Sequence, residues 1–97
     1  MTRVEEFKKA LVEVLALVDD ELKKVAAGQS IWSQKQLENI IQPEITELLE
    51  HAKRGEILMK RNKKLRSTYF LVETNIPYDR TDLGKKILEL QGIYQQF

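Results

Sequence analysis

The fold is decided by one stretch, residues 31–55, which has the sequence IWSQKQLENIIQPEITELLEHAKRG. Ser33 and Gln36 have the spacing of a capping box, in which each side chain accepts a hydrogen bond from the backbone amide of the other. Trp32 and Leu37 flank the box at the positions of a hydrophobic staple. We therefore expect a helix that begins after Ser33, with the indole of Trp32 folded over its first turn.

The same stretch contains the body and the end of this helix. Apolar residues recur at helical spacing, namely Leu37, Ile41, Ile45, Leu48 and Ala52. Basic side chains and Gly55 then close the helix, since cations favour a helix C-terminus and glycine accepts a left-handed cap. Pro43 interrupts it, because proline has no amide hydrogen and clashes with the carbonyl of Asn39. We expect a kink there, or a helix that restarts with Pro43 in its first turn.

Two more helices are predicted, one on each side of this stretch. The first runs from Val4 to Val25 after a second capping box, Thr2 and Glu5. The other begins at Thr81 or Asp82 and has an apolar stripe of Leu83, Ile87, Leu90, Tyr94 and Phe97. We expect one core made by nine side chains from the three helices: Phe7, Leu11, Val14, Val18, Ile41, Ile45, Leu48, Ile87 and Leu90.

The segment from Glu56 to Glu73 allows two interpretations. Four of its residues share one helical face, namely Leu58, Leu65, Tyr69 and Val72. Alternatively, residues 57–60 pair with residues 65–72 in a hairpin, because residues 68–72 have the composition of a strand. We favour a helix from Leu58 to Val72, since an isolated two-stranded ribbon is marginally stable. The expected fold class is all-α, an antiparallel bundle of three to four helices; the alternative is α+β with a short hairpin near residues 57–72.

Composition limits the class of protein. A chain of 97 residues with 42% hydrophobic residues forms a single domain, residues 1–97, with one core and little room for a buried active site. The absence of cysteine excludes disulfides, thiolate metal sites and cysteine nucleophiles, and it fits a reducing compartment. The longest apolar run, Val14 to Val18, is too short for a secretion signal or a membrane span. We therefore expect a cytoplasmic protein.

The net charge of +1 hides an uneven distribution. Residues 1–52 hold 6 basic and 10 acidic side chains, a net charge of −4, whereas residues 53–72 hold 7 basic and 1 acidic, a net charge of +6. The whole-chain charge argues against a dedicated nucleic-acid binder. The local excess still allows an anionic partner for what we call the basic segment, residues 53–66.

One cluster has the residue types of a catalytic or metal site. Glu44, Glu47 and His51 lie three and four residues apart, on neighbouring turns of the central helix. A metal pair in a helical bundle draws a Glu-x-x-His motif from each of two helices, but this chain has a single histidine. We interpret the cluster as a surface acid–histidine pair. We expect no catalytic residue, no metal, no cofactor and no enzymatic activity.

The basic segment has three interpretations: a solvated surface, a surface for an acidic protein or an anionic membrane, or a nucleic-acid site. Nucleic acid is disfavoured, because no aromatic side chains alternate with the charges to stack on bases. The loop containing Ile76 and Tyr78 offers a second contact region, since apolar loop residues either pack over the end of a bundle or serve contacts.

Three or four amphipathic helices with short turns, no catalytic set and a charge-segregated surface resemble the small cytosolic immunity proteins of bacteriocin-producing bacteria, which are antiparallel four-helix bundles. The likeness lies in the layout, Val4 to Val25, Leu37 to Ala52, Leu58 to Val72 and Leu83 to Phe97, and no family residue is carried over. It implies a protein that binds a toxin or its receptor through a charged face and the C-terminal part of the bundle. A nucleic-acid-binding or regulatory helical module that uses residues 53–66 is the alternative.

These arguments define a set of expected partner-binding residues. Those of the basic segment and the apolar loop are Lys60, Arg61, Lys63, Lys64, Arg66, Ile76 and Tyr78, and those of the C-terminal part are Tyr94 and Phe97.

Overall fold

The computed structural model describes residues 3–55, 65–68 and 77–96, and in these ranges the protein is all-α. Its elements are α1 (Arg3–Ala26), α2 (Gln34–Gln36), a π-helical segment (Leu37–Ile41), α3 (Gln42–Lys53) and α4 (Asp82–Tyr94), with 3-10 turns at Arg66–Thr68 and Tyr78–Arg80. We call the continuous run α2, π-helical segment and α3 the central helix. The predicted all-α fold class is confirmed.

Helices α1 and α4 are antiparallel neighbours. At one end Arg3 donates from Nη1 to the carbonyl of Gln96 over 2.9 Å, although the two residues are 93 positions apart. Farther along, the rings of Phe7 and Tyr94 stack with centroids 5.6 Å apart. Advancing along α1 thus means going backwards along α4, as the two helices of an antiparallel pair must. Helix α1 also packs against α3, so it contacts both of the other long helices.

The start of the central helix has the predicted geometry. Ser33 Oγ accepts from the amide of Gln36 over 3.1 Å, and Gln36 Oε1 accepts from the amide of Ser33 over 2.9 Å. The capping box is therefore confirmed. Trp32 and Leu37 are both buried, as the two residues of a hydrophobic staple should be.

Pro43 restarts the central helix, as expected. Helix α3 begins at Gln42 with Pro43 in its first turn, directly after the π-helical segment. The amide of Gln42 donates to the carbonyl of Leu37, five residues back, instead of the usual four. This wider turn accommodates a residue that cannot donate a hydrogen bond and whose ring would clash with the carbonyl of Asn39.

The nine predicted core residues are all buried and belong to one hydrophobic cluster. The cluster also contains the aromatic side chains Trp32, Tyr78 and Tyr94, together with Leu65 from the short 3-10 region. The hydrophobic faces of α1, α3 and α4 therefore meet in a common interior, which the sequence pattern of each helix predicts.

The predicted continuous helix from Leu58 to Val72 is wrong at residues 65–68. Leu65 lies in irregular backbone and Arg66–Thr68 form a single 3-10 turn. A continuous helix would direct the amides of Leu65, Arg66 and Ser67 to carbonyls four residues earlier, but all three donate to side chains of other helices. The remainder of this prediction, helix or hairpin at residues 57–64 and 69–72, lies outside the described residues.

Candidate partner-binding site

The carboxylate of Glu44 holds the chain where the basic segment ends. It accepts hydrogen bonds from the amide of Arg66 (2.7 Å), the amide of Ser67 (3.0 Å) and the hydroxyl of Ser67 (2.8 Å). Glu44 is only 7% exposed and Ser67 is fully buried, so these bonds to a charged acceptor form away from water. We call Glu44, Arg66 and Ser67 the Glu44 clamp.

A second helix supports the clamp from the opposite side. Gln91 of α4 accepts the amide of Leu65 through Oε1 over 2.7 Å. Three successive backbone amides are therefore satisfied by side chains from α3 and α4, with the buried Leu65 between them. Buried amides need hydrogen-bond partners, so these bonds fix the position of residues 65–67 against α3 and α4.

The proposed acid–histidine cluster is divided by this arrangement. Glu44 is buried in the clamp, Glu47 is exposed, and Nδ1 of the half-buried His51 lies 3.5 Å from Nη2 of Arg54. Across residues 3–55, 65–68 and 77–96, no group of three or more histidine, aspartate or glutamate side chains is arranged to hold a metal ion. Glu44 thus has a structural role, as the anchor of residues 66 and 67.

Both ends of the basic segment are fixed on the bundle. At its start, Lys53 ends α3 and Gly55 has the left-handed backbone (φ 77°) of a helix cap, with its amide donating to the carbonyl of Ala52 over 3.0 Å. At its end, the Glu44 clamp holds Arg66. Since Glu44 and Lys53 are separated by nine residues of helix, the two anchors lie about 14 Å apart along α3.

The predicted contact residues fall into three groups. Arg66 is exposed, as a contact residue must be. Tyr78 and Tyr94 are 4% and 0% exposed, so their assignment to a contact surface is corrected: both belong to the core. The others, Lys60, Arg61, Lys63, Lys64, Ile76 and Phe97, lie outside the described residues.

Tyr78 is buried because it completes a cluster at the start of the central helix. Its ring lies against the indole of Trp32 with centroids 4.4 Å apart, and its hydroxyl accepts from Nε2 of Gln36 over 3.2 Å. The indole N–H of Trp32 donates to Oγ1 of Thr81 over 3.3 Å, and the same oxygen caps α4 by accepting the amide of Gly84 over 3.0 Å. We call Trp32, Gln36, Tyr78 and Thr81 the Trp32 cluster. Sequence analysis offered two signals for this packing, the staple position of Trp32 and the loop of Tyr78 packing over the end of the bundle, but it did not predict the hydrogen bonds to Gln36 and Thr81.

A groove opens next to the Glu44 clamp. It has a volume of about 220 Å³ and lies between the Pro43 turn of the central helix and Arg66. Pro43 and the half-buried Ile40 supply apolar surface, while the exposed side chains of Asn39 and Glu47 supply polar groups. The groove is smaller than the roughly 300–1,000 Å³ of ordinary small-molecule sites.

An ion pair joins the exposed sides of α1 and α4. Lys86 donates a hydrogen bond to the Glu13 carboxylate, which lowers the pKa of Glu13 and raises the pKa of Lys86. Glu89 contributes a second contact to Lys86, at 3.3 Å. The stabilisation exists at neutral pH; it disappears as the pH falls through the pKa of Glu13 or rises through that of Lys86. The pair is exposed to water, so it reinforces the α1–α4 contact only weakly.

Comparison with protein-family models, with curated proteins and with solved structures finds no match to this chain. What the fold and the site define is a class: a small all-α bundle with a basic segment anchored at both ends. No helix of the described ranges is both long and apolar enough to cross a membrane.

Proposed function

We propose that this chain is a non-catalytic binding protein that recognises an acidic protein partner through its basic segment. More specifically, we propose that it is a cytoplasmic immunity protein of a bacterium that produces a bacteriocin or toxin. It would protect the producer by binding that toxin or the receptor of the toxin.

The observation that carries the proposal is the Glu44 clamp. A charged segment that merely keeps a protein soluble needs no fixed position. Here a buried carboxylate accepts three hydrogen bonds that hold the chain at the end of the most basic part of the molecule. Fixing the ends of a binding segment lowers the entropy lost when a partner orders it, which is the advantage of preorganisation.

Charge supports a specific class of partner. The basic segment contains seven basic residues and one acidic residue, and Arg66 at its clamped end is exposed. The rest of the chain is acidic overall, so the excess of positive charge is confined to one part of the sequence. A local positive surface of this kind speeds the approach of an acidic partner and rejects basic ones.

The test reverses three charges within the segment, Lys60→Glu, Lys63→Glu and Lys64→Glu together. In the matched control, the exposed residues Lys23, Lys35 and Lys85 are changed to glutamate, which alters the net charge equally. The control should keep the helical circular dichroism of the parent, because exposed charges contribute little to stability. We expect the same of the first variant, and its spectrum is compared with that of the control. Only the first should lose protection of cells challenged with the toxin encoded beside the gene.

Two results contradict the proposal. Full protection by the folded triple variant removes the basic segment from the mechanism. Capture of single-stranded nucleic acid, with affinity that falls steeply as salt is raised, favours the nucleic-acid module, because phosphate contacts release counterions. A neighbouring gene for a short secreted toxin precursor supports immunity directly, and a gene context without one counts against it.

A further inference from the structure

Helix α1 has a second stripe of residues, on the face that points away from the core. The six exposed residues of this stripe, which we call the outer stripe, are Glu5, Lys9, Val12, Ala16, Asp19 and Lys23. They follow one another in alternating steps of four and three residues, which is the spacing of the seam between two paired helices. We propose that the outer stripe is a self-association surface, through which two copies of the chain pair their α1 helices in antiparallel orientation. The surface is separate from the basic segment, so the inference does not depend on the proposed function.

The apolar centre of the outer stripe is the first argument. Val12 is 53% exposed, the highest value among the large hydrophobic side chains that the structure describes, and Ala16 lies one turn later on the same face. The half-buried Leu15 flanks them. In an antiparallel pair centred on residue 14, Val12 of each copy lies against Ala16 of the other. The contact removes this apolar surface from water, which favours association.

The order of the charges is the second argument. The outer stripe is symmetric about residue 14: positions 9 and 19 are equally far from it, and so are positions 5 and 23. The antiparallel pair therefore places Lys9 opposite Asp19, and it places Glu5 opposite Lys23. Two-fold symmetry forms each of these pairs twice. Parallel pairing would instead set each charge against its own copy, so the charges favour one orientation and one register.

Interactions within α1 do not account for the inner charges. A helix favours acidic side chains in its first turn and basic ones in its last, which explains Glu5 and Lys23. Lys9 and Asp19 lie farther inside the helix, where this preference has faded. Neither of them makes an ion pair with any residue that the structure describes, and this includes Lys23, four positions after Asp19. Both inner charges are therefore available to a second copy.

The size of the contact determines how strong the dimer should be. Each copy contributes a single helix, over about 27 Å of its length. A contact of this kind belongs to the small end of specific interfaces, below about 1,200 Å². We therefore expect reversible association that increases with protein concentration. Sedimentation equilibrium of the full chain measures it from about 1 μM to 1 mM, the range of moderate to weak dissociation constants.

Two charge variants test the orientation and the register. Asp19→Lys sets lysine against lysine at both symmetric positions, so it should raise the dissociation constant of the dimer about tenfold, since two attractions become two repulsions. Adding Lys9→Asp to that variant restores opposite charges with their signs exchanged, so the double variant should dimerise like the parent. Both positions are exposed, and the circular dichroism of both variants should match that of the parent.

A third variant tests the apolar centre. Val12→Glu replaces the exposed valine by a charged side chain at the middle of the contact, and it should raise the dissociation constant at least about tenfold. Leu88→Glu is the matched control, because it makes the same kind of change at a residue of α4 that is 42% exposed. The control should leave the dissociation constant unaltered. Equal losses in the two variants would assign the contact to another surface.

The remaining outcomes also decide the inference. A parent chain that stays monomeric up to about 1 mM overturns it. A double variant that dimerises as weakly as Asp19→Lys contradicts the antiparallel register, and so does an Asp19→Lys chain that dimerises as tightly as the parent. The triple variant of the basic segment should dimerise like the parent even when it loses protection against the toxin. Failure of the proposed function is therefore distinguishable from failure of this inference.

Discussion

Two sets of contacts, the Trp32 cluster and the Glu44 clamp, hold later segments of the chain against the central helix, and they consist of different interactions. The Trp32 cluster combines an aromatic contact with side-chain hydrogen bonds and joins the start of the central helix to the start of α4. The Glu44 clamp uses one carboxylate, which accepts from two backbone amides and from the hydroxyl of Ser67. The Trp32 cluster adds apolar surface to the core, whereas the Glu44 clamp fixes residues 66 and 67 through hydrogen bonds.

This difference suggests different consequences when each is broken. Loss of apolar burial lowers the stability of the whole bundle, because the core is shared by every helix. Loss of the clamp removes the hydrogen bonds of residues 66 and 67 and should therefore free one end of the basic segment first. The three predictions below are ordered from the largest expected effect to the smallest.

The largest loss of stability should come from substitutions in the hydrophobic core, next to both the Trp32 cluster and the Glu44 clamp. Leu48→Ala and Leu90→Ala remove side chains that are 1% and 0% exposed, and each should lower the free energy of unfolding by about 2–5 kcal/mol. Urea unfolding followed by circular dichroism measures this. A loss below about 0.5 kcal/mol would show that the helix faces are assigned incorrectly.

Glu44→Gln should have a smaller and more local effect. Glutamine keeps one acceptor oxygen but loses the charge, so about 1–3 kcal/mol of stability should disappear. Trypsin cleavage after the basic residues 60–66 should accelerate more than global unfolding does. Glu47→Gln is the matched control, because this exposed residue lies on the same helix and has no part in the clamp. Equal cleavage rates for the two variants would mean that the clamp does not restrain the segment.

Ser33→Ala should have the smallest effect of the three. It removes the hydroxyl that accepts the amide of Gln36, and loss of such a cap costs about 1 kcal/mol. The aromatic contact of the Trp32 cluster remains in this variant. The first turn of the central helix should therefore become less stable but stay packed against the core. Urea unfolding measures the change, and stability equal to that of the parent would contradict the capping box as a source of stability.

The sequence predicts the contacts that are close along the chain. The capping box joins Ser33 and Gln36, three positions apart, and the restart at Pro43 follows from the chemistry of a single residue. The core is predictable for a similar reason, since a helical stripe shows which face is apolar without naming its neighbour. In each case, the physical cause lies within one helix.

The polar contacts between elements could not be predicted in this way. Glu44 is 22 and 23 positions from the amides it accepts, and Trp32 is 49 positions from Thr81. Nothing local distinguishes Glu44 from the exposed Glu47, because their difference in burial arises only when α3 packs against residues 65–68. The apolar stripe of α4 predicts that Tyr94 is buried. The assignment of Tyr94 to a contact surface was inconsistent with that pattern.

The antiparallel pairing of α1 with α4 has a consequence for biosynthesis. Arg3 and Gln96 make a direct hydrogen bond across 93 positions, so α1 leaves the ribosome well before α4, the helix against which it packs. At about 5–20 residues per second, α1 waits roughly 5 to 19 seconds for that partner. During this interval, the apolar stripe that contains Phe7, Leu11 and Val14 remains without α4. Folding of the nascent chain is therefore completed only at the end of translation of this region, and chaperones that bind apolar helices have their opportunity before α4 emerges.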